Sequence, residues 1–112
     1  MGTVTFAAVK QMGATLPDVE AATNWAGKPV LKARGCFMAG LASHWSAEAG
    51  TLVVRCELED RERLLEDAPE TYYVTNYYRP YPLVLVRMAR LHRDALRDLL
   101  SVSWRMAVAK AR

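Results

Sequence analysis

Three short stretches, "PVLKA" at 29–33, "FMAGLA" at 37–42 and "TLVVRCEL" at 51–58, follow one another with apolar residues at every second position. Only one choice of faces gathers the apolar sets. It puts Leu31, Ala33, Phe37, Ala39, Leu41, Leu52, Val54, Cys56 and Leu58 on one side, and leaves Val30, Lys32, Met38, Val53, Arg55 and Glu57 on the other. A slip of one residue would place Arg55 among the apolar side chains, so the pattern itself specifies register. The expectation is an antiparallel sheet with one face covered by helices and a second, cationic face toward solvent. "RGC" between the first two stretches suits a tight hairpin, with Gly35 free to take positive φ. "SHWSAEAG" between the last two is a longer loop.

Helical patterns flank these strands. Thr5 is placed to cap a helix carrying Phe6, Val9 and Met12 at helical spacing, ended by Gly13 and Pro17. "VEAATNW" is ambiguous and leaves room for a short strand entering the sheet. Asp60 is placed to cap a short helix, "RERLLEDA", closed by Pro69. "YPLVLVRM" reads as a strand apolar on both faces until Arg87, which suits a central position. A last helix is expected from His92 to the end, with Leu91, Ala95, Leu99, Val102 and Met106 as its buried stripe and Leu96 and Leu100 widening it. Asp94 in its first turn and Lys110 and Arg112 in its last suit the helix dipole. The fold class is therefore α+β: a two-layer, twisted antiparallel sheet with N- and C-terminal helices packed on one face. At 112 residues the chain fits a single domain, 1–112.

Hydrophobic residues make up 52% and charged residues 24%, the balance of a folded globule rather than a disordered chain. The net charge of +3 is too mild to diagnose a nucleic-acid binder. Its distribution says more: residues 57–70 hold seven of the twelve acids, whereas residues 79–112 hold eight of the fifteen basic residues. The two cysteines, Cys36 and Cys56, form no CxxC motif. The opening "MGTVTFAAVK" lacks a secretory pattern and, with Phe at position 6, a myristoylation signal. "PLVLV" is too short to cross a membrane. A cytoplasmic protein with reduced thiols and no membrane partner is expected.

Several stretches together resemble one family. "NWAGKPVLKARGCFMAGL", "TLVVRC", "PETYYVTNYYRPYPLVLVRM" and "LRDLLSVSWRMAVAK" look like the MmcQ/YjbR family, in the branch common in high-GC bacteria. The resemblance spans nearly the whole chain, roughly residues 15 to 110, a single-domain length. It is densest from Tyr73 through Tyr81-Pro82 to Val86-Arg87, and again at Leu99-Leu100 and Trp104-Arg105. It implies a CyaY-like fold, related in architecture to frataxin, and a DNA-binding protein with no established catalytic residues. The chain departs from the family pattern twice. Cys36 stands where a lysine often follows the hairpin glycine, and Tyr77 where a histidine often precedes the central tyrosine.

All five tyrosines lie in "TYYVTNYYRPYP", residues 71–82. Tyr72, Tyr73 and Tyr81 are expected to pack with their hydroxyls outward, leaving Tyr77 and Tyr78 for a ligand. Lys32, Arg34, Arg55 and Arg87, with Arg79 at the rim, make a cationic sheet face suited to phosphates. Mixed with the tyrosines, it suits groove binding by strands or stacking of single-stranded bases. The competing reading is a solvated face whose arginines pair with acids. Cys56 reads as a buried structural thiol and Cys36 as an exposed one at a turn. His44 and His92 stand alone, without metal-ligand spacing, and "SHWS" carries adjacency rather than triad geometry. The acidic stretch 57–70 reads as a solvated helix face, with Arg61 and Arg63 interrupting it. No metal or other cofactor is expected. The functional expectation is a small non-enzymatic DNA-binding protein. The alternative is a module binding a protein or a small anion through the same face, or a homodimer formed through it.

Overall fold

A computed structural model describes residues 4–111. Three helices, α1 (Phe6–Gly13), α2 (Leu58–Asp67) and α3 (Arg93–Lys110), accompany six strands. The strands are β1 (Val19–Thr23), β2 (Pro29–Ala33), β3 (Cys36–Leu41), β4 (Thr51–Arg55), β5 (Tyr72–Tyr73) and β6 (Leu83–Arg87). They form one antiparallel sheet in the order β1-β2-β3-β4-β6-β5. The α+β architecture expected from sequence is the one observed, and "VEAAT" resolves into an outer strand. Helix α3 lies across β2, β3 and β4 and meets α1, while α2 covers β5 and β6. No helix among the described residues is long and apolar enough to cross a membrane.

The hairpin joining β2 to β3 turns through Arg34 and Gly35, with φ of 51° and 80°. Two successive left-handed residues match the twist that a two-residue hairpin needs. Arg34 is a costly residue there. Asp18 holds it twice, accepting from the Arg34 backbone N–H through its carbonyl and from Nε through its carboxylate. Further along, β2 and β3 approach so closely that a Cβ on Gly40 would lie 2.5 Å from a Val30 methyl.

The expected register fails at one place. Leu31 pairs with Ala39 but Lys32 pairs with Phe37, so Met38 is an extra residue in β3. This β-bulge reverses the alternation there. Met38 turns into the main core and is fully buried, while Phe37 turns to the opposite face. Val30 and Val53, also expected to be exposed, are buried as well. Leu58 is not a strand residue: it opens α2, half-exposed, with Glu57 rather than Asp60 at the N-cap.

The main core lies between the sheet and the helices, built from Leu31, Leu52, Val54, Val84 and Val86 against Val9, Leu96 and Leu100. The buried line of α3 runs through Leu96, Leu99, Leu100, Ser103 and Ala107, leaving the expected Val102 and Met106 at its margin. Ser103 displaces them because its hydroxyl donates to the Arg55 carbonyl at the end of β4, so a polar residue occupies the stripe without an unmet bond. Trp104 Nε1 donates to the Pro17 carbonyl at 2.7 Å, tying α3 to the segment before β1.

The other face of the sheet is not open. Leu85 and Val53 pack there with Tyr78, and Phe37, Ala42, Ala47, Tyr73, Val74 and Leu83 surround them. The β3–β4 loop and the segment between β5 and β6 thus roof the sheet with a second, smaller core. The reason is visible in "LVLVR": a strand apolar on both faces leaves Leu83 and Leu85 needing cover away from the helices.

Candidate nucleic-acid interface

The segment from Val74 to Pro82 carries the candidate site, and a buried arginine pins it. Tight turns shape it, with the Thr75 carbonyl accepting from the N–H groups of Tyr78 and Arg79. Arg61, on α2, is 5% exposed. Its Nη1 donates to the carbonyls of Arg79, Tyr81 and Leu83 at 3.1, 3.1 and 3.2 Å. Glu62 lies 3.8 Å from its Nε, too far for a hydrogen bond, so Nε stays unpaired. Reading Arg61 as an interruption of a solvated face was wrong. Arg61, Leu64, Leu65 and Ala68 share one helical stripe, and that spacing marks Arg61 as inward-facing.

The clamp presents an aromatic cluster. Tyr77 stacks on the His44 ring at 3.5 Å between centroids and 9° between planes. Tyr78 meets both rings edge-on, and Trp45 and Tyr81 complete the group. Trp45 is 89% exposed, Tyr77 50% and Tyr81 51%. Tyr78 is buried at 7%, and its hydroxyl accepts from the His44 N–H at 3.2 Å. The expected roles of Tyr78 and Tyr81 are therefore exchanged: Tyr78 roofs the second core and Tyr81 faces out.

His44 is not an isolated loop residue. Its Nδ1 accepts from the Ser46 N–H at 3.1 Å, which puts the proton of the neutral ring on Nε2. The Ser46 hydroxyl lies 2.7 Å from the same nitrogen and 2.9 Å from the Thr75 hydroxyl. These bonds fix the loop against the tyrosine segment and set the ring plane on which Tyr77 stacks. Neither His44 nor Trp45 stands out in sequence, because the contacts that organise them come from residues about thirty positions away on a domain scale.

The five candidate cations divide. Arg87 is engaged: Nε and Nη2 grip both Glu48 carboxylate oxygens at 2.9 and 2.8 Å, and Nη1 donates to the Pro69 and Glu70 carbonyls. Its guanidinium also lies 4.3 Å from the Tyr73 ring centre. The hydrogen bond from Arg87 pulls the Glu48 carboxyl below its ordinary value, and Glu48 in turn raises Arg87. Arg34 pairs with Asp18. Lys32, Arg55 and Arg79 make no ion pair with any described residue. Arg79 is exposed beside the aromatic cluster. Arg55 donates to the Phe37 carbonyl at 3.2 Å and, with Tyr81 and Lys110, lines a cleft of about 350 Å³. Lys32 and Tyr78 line a second cleft of about 240 Å³. In sequence Lys110 stands out only as a helix-dipole partner, because nothing along the chain places the end of α3 beside β4.

Both thiols are free. Cys56 is 2% exposed and burial pushes its thiol up to about 11, whereas Cys36 at the hairpin is partly exposed. In the native state at pH 8, a thiol-specific reagent is expected to label one cysteine promptly. The second should react only on unfolding, and Cys36→Ser should abolish the prompt label. Mass spectrometry of the labelled peptides reads the outcome directly.

No curated protein matches the chain. A family model described as YjbR matches residues 14–106. The match takes in the whole sheet, the Arg61 clamp and the tyrosine segment. By that match the chain belongs to the YjbR family.

Proposed function

We propose that this protein binds DNA without chemically altering it, and that it favours single-stranded over duplex DNA. One observation carries the reading. Exposed rings of Trp45, Tyr77 and Tyr81 stand beside Arg79 and the Arg55–Lys110 cleft, cations without a carboxylate partner among the described residues. Exposed aromatics next to unpaired cations suit unstacked bases and the phosphates between them. Tyr77 is ordered in advance by its stack on His44, so less side-chain freedom is lost on binding. A flat duplex-reading face is less well supported. The second core roofs the sheet, and Arg34 and Arg87 already hold acids.

A salt titration with an oligothymidylate and a matched duplex tests this. The single strand is expected to bind more tightly, with log affinity falling linearly in log salt. Arg55→Ala should reduce the slope by about 0.7, the share of one phosphate contact on a single strand. Arg87→Ala should leave it unchanged once refolding is verified. Absence of binding to either DNA at low salt would overturn the reading and leave the same face to a protein partner.

A further inference from the structure

The two edges of the sheet differ. β5 is only two residues long, and α2 packs against it. β1 has five residues, pairs with β2 without a break, and has no strand on its other side among the described residues. Edges of that length are ordinarily blunted by lysine, proline or a bulge, and "VEAAT" carries none of these. The helix layer also stops short of it: Ala21 is exposed although its neighbour on β2, Leu31, is fully buried. The ladder fixes which backbone groups are free. The Arg34 N–H donates to the Asp18 carbonyl and the Asn24 N–H to the Lys28 carbonyl, one just outside each end of the strand. Antiparallel bonding alternates, so Glu20 and Ala22 bond β2, while Val19, Ala21 and Thr23 aim their N–H and carbonyl groups outward. Trp25, in the turn that ends the strand, is 89% exposed and stands outside the aromatic cluster.

We propose that β1 pairs antiparallel with β1 of a second copy of this chain, about a twofold axis through Ala21. Val19 then bonds Thr23 of the partner subunit, Ala21 bonds its own counterpart, and every outward group of the strand is satisfied. Neighbouring registers are poorer. A shift toward the start of the strand sets Glu20 directly against its own counterpart, and Thr23 against Pro17, which has no N–H. A shift toward its end carries Val19 past the strand and onto the turn at Trp25. Charge also favours a second copy. Glu20 near the start of the strand and Lys28 in the turn at its end make no ion pair with any described residue, and antiparallel pairing brings these unlike ends together. The same register sets the turn carrying Trp25 beside Pro17 of the partner subunit. The axis stands perpendicular to the sheet, so the two sheets continue as one, with both helix layers on one side and both aromatic clusters on the other. So short an edge buries an area in the range of transient contacts, below about 1,200 Å². Association in the micromolar range or weaker is therefore expected. The pairing goes beyond DNA binding and does not rest on it.

The test is sedimentation equilibrium of the full chain without DNA, from low micromolar to millimolar concentration, where a monomer–dimer equilibrium is expected. Amide exchange over the same range should slow at Val19, Ala21 and Thr23 as dimer forms, and change less at Glu20 and Ala22. Ala21→Pro deletes the two central bonds of the dimer and none in the monomer, because that N–H faces solvent. It should weaken dimerisation about tenfold or more, with circular dichroism checking that it folds. Two further variants leave the backbone intact and read the register, since position 22 faces Glu20 of the partner subunit. Ala22→Glu should weaken the dimer about fivefold, and Ala22→Lys should strengthen it about as much. The proposal is overturned if folded Ala21→Pro dimerises like wild type, or if Ala22→Glu and Ala22→Lys dimerise equally. It is overturned too if the chain is monomeric throughout, which would leave the edge to an extended segment of another protein.

Discussion

Arg61→Ala is expected to lower the unfolding free energy by about 3 kcal/mol, the effect of stripping a charged donor from buried carbonyl acceptors. For a domain of this size the corresponding fall in melting temperature is about 12 °C. The wild-type guanidinium satisfies the carbonyls of Arg79, Tyr81 and Leu83 through a single nitrogen, which has only two N–H groups, so at least one bond is shared. Truncation leaves those carbonyls facing a void behind the strand entry. Hydrogen bonding is not the only contribution at stake, since the arginine's methylenes also fill space beneath the segment. Arg61→Met separates the two. It restores most of the packing and none of the donors, so it should recover part of the loss, leaving a deficit of about 1–2 kcal/mol. Full recovery by methionine would mean that the three bonds only balance the cost of burying the charge. Urea unfolding of the three proteins, with m-values compared, gives the answer.

The clamp also shows what sequence reasoning reached and where it stopped. Alternation in "PVLKA" and "TLVVR" set both strands and their inward faces, because period-two patterning is a local property of the chain. "LVLVR" was readable as a strand covered on both sides for the same reason. Met38 was not readable. "FMAGL" alternates acceptably in either phase, and the bulge is decided by how β2 meets β3, a pairing absent from the local pattern. The cations failed in a related way. Lys32 lies beside Tyr78, Arg55 beside Tyr81, and Arg79 is exposed next to Tyr78 in the chain. Arg87 fell on a shared face with Thr51 and found Glu48, 39 positions away, from a loop whose path no local signal gives. Charges on a strand can be assigned a face from sequence, but whether a distant carboxylate neutralises them is tertiary information. The aromatic cluster is the same case: the tyrosines were conspicuous together, while the histidine that orients one of them and the tryptophan beside it lay in an unremarkable loop.

Tyr77 and Tyr78 are adjacent, chemically identical and expected to respond oppositely to the same substitution. Tyr78→Ala removes a buried ring that closes the second core over Val53 and Leu85. It should cost about 3 kcal/mol, as truncation of a buried aromatic does. Tyr78→Phe keeps the ring and deletes only the acceptor for the His44 N–H, for a loss of about 1 kcal/mol. Tyr77→Ala loses an exposed stack and should cost under about 1 kcal/mol. Trp45→Ala, at 89% exposure, should change stability by no more than about 0.5 kcal/mol. In binding to oligothymidylate the order is inverted. Tyr77→Ala and Trp45→Ala should each weaken binding about tenfold, the contribution of one stacked base. Tyr78→Phe should leave affinity within about twofold, because its ring meets the roof of the sheet rather than solvent. The crossing of the two orders is the discriminating result. If Tyr77→Ala and Trp45→Ala bind like wild type while remaining folded, the exposed rings do not stack bases. If Tyr78→Ala proves as stable as wild type, the tyrosine segment does not roof a core, and the ordered presentation of Tyr77 loses its physical basis.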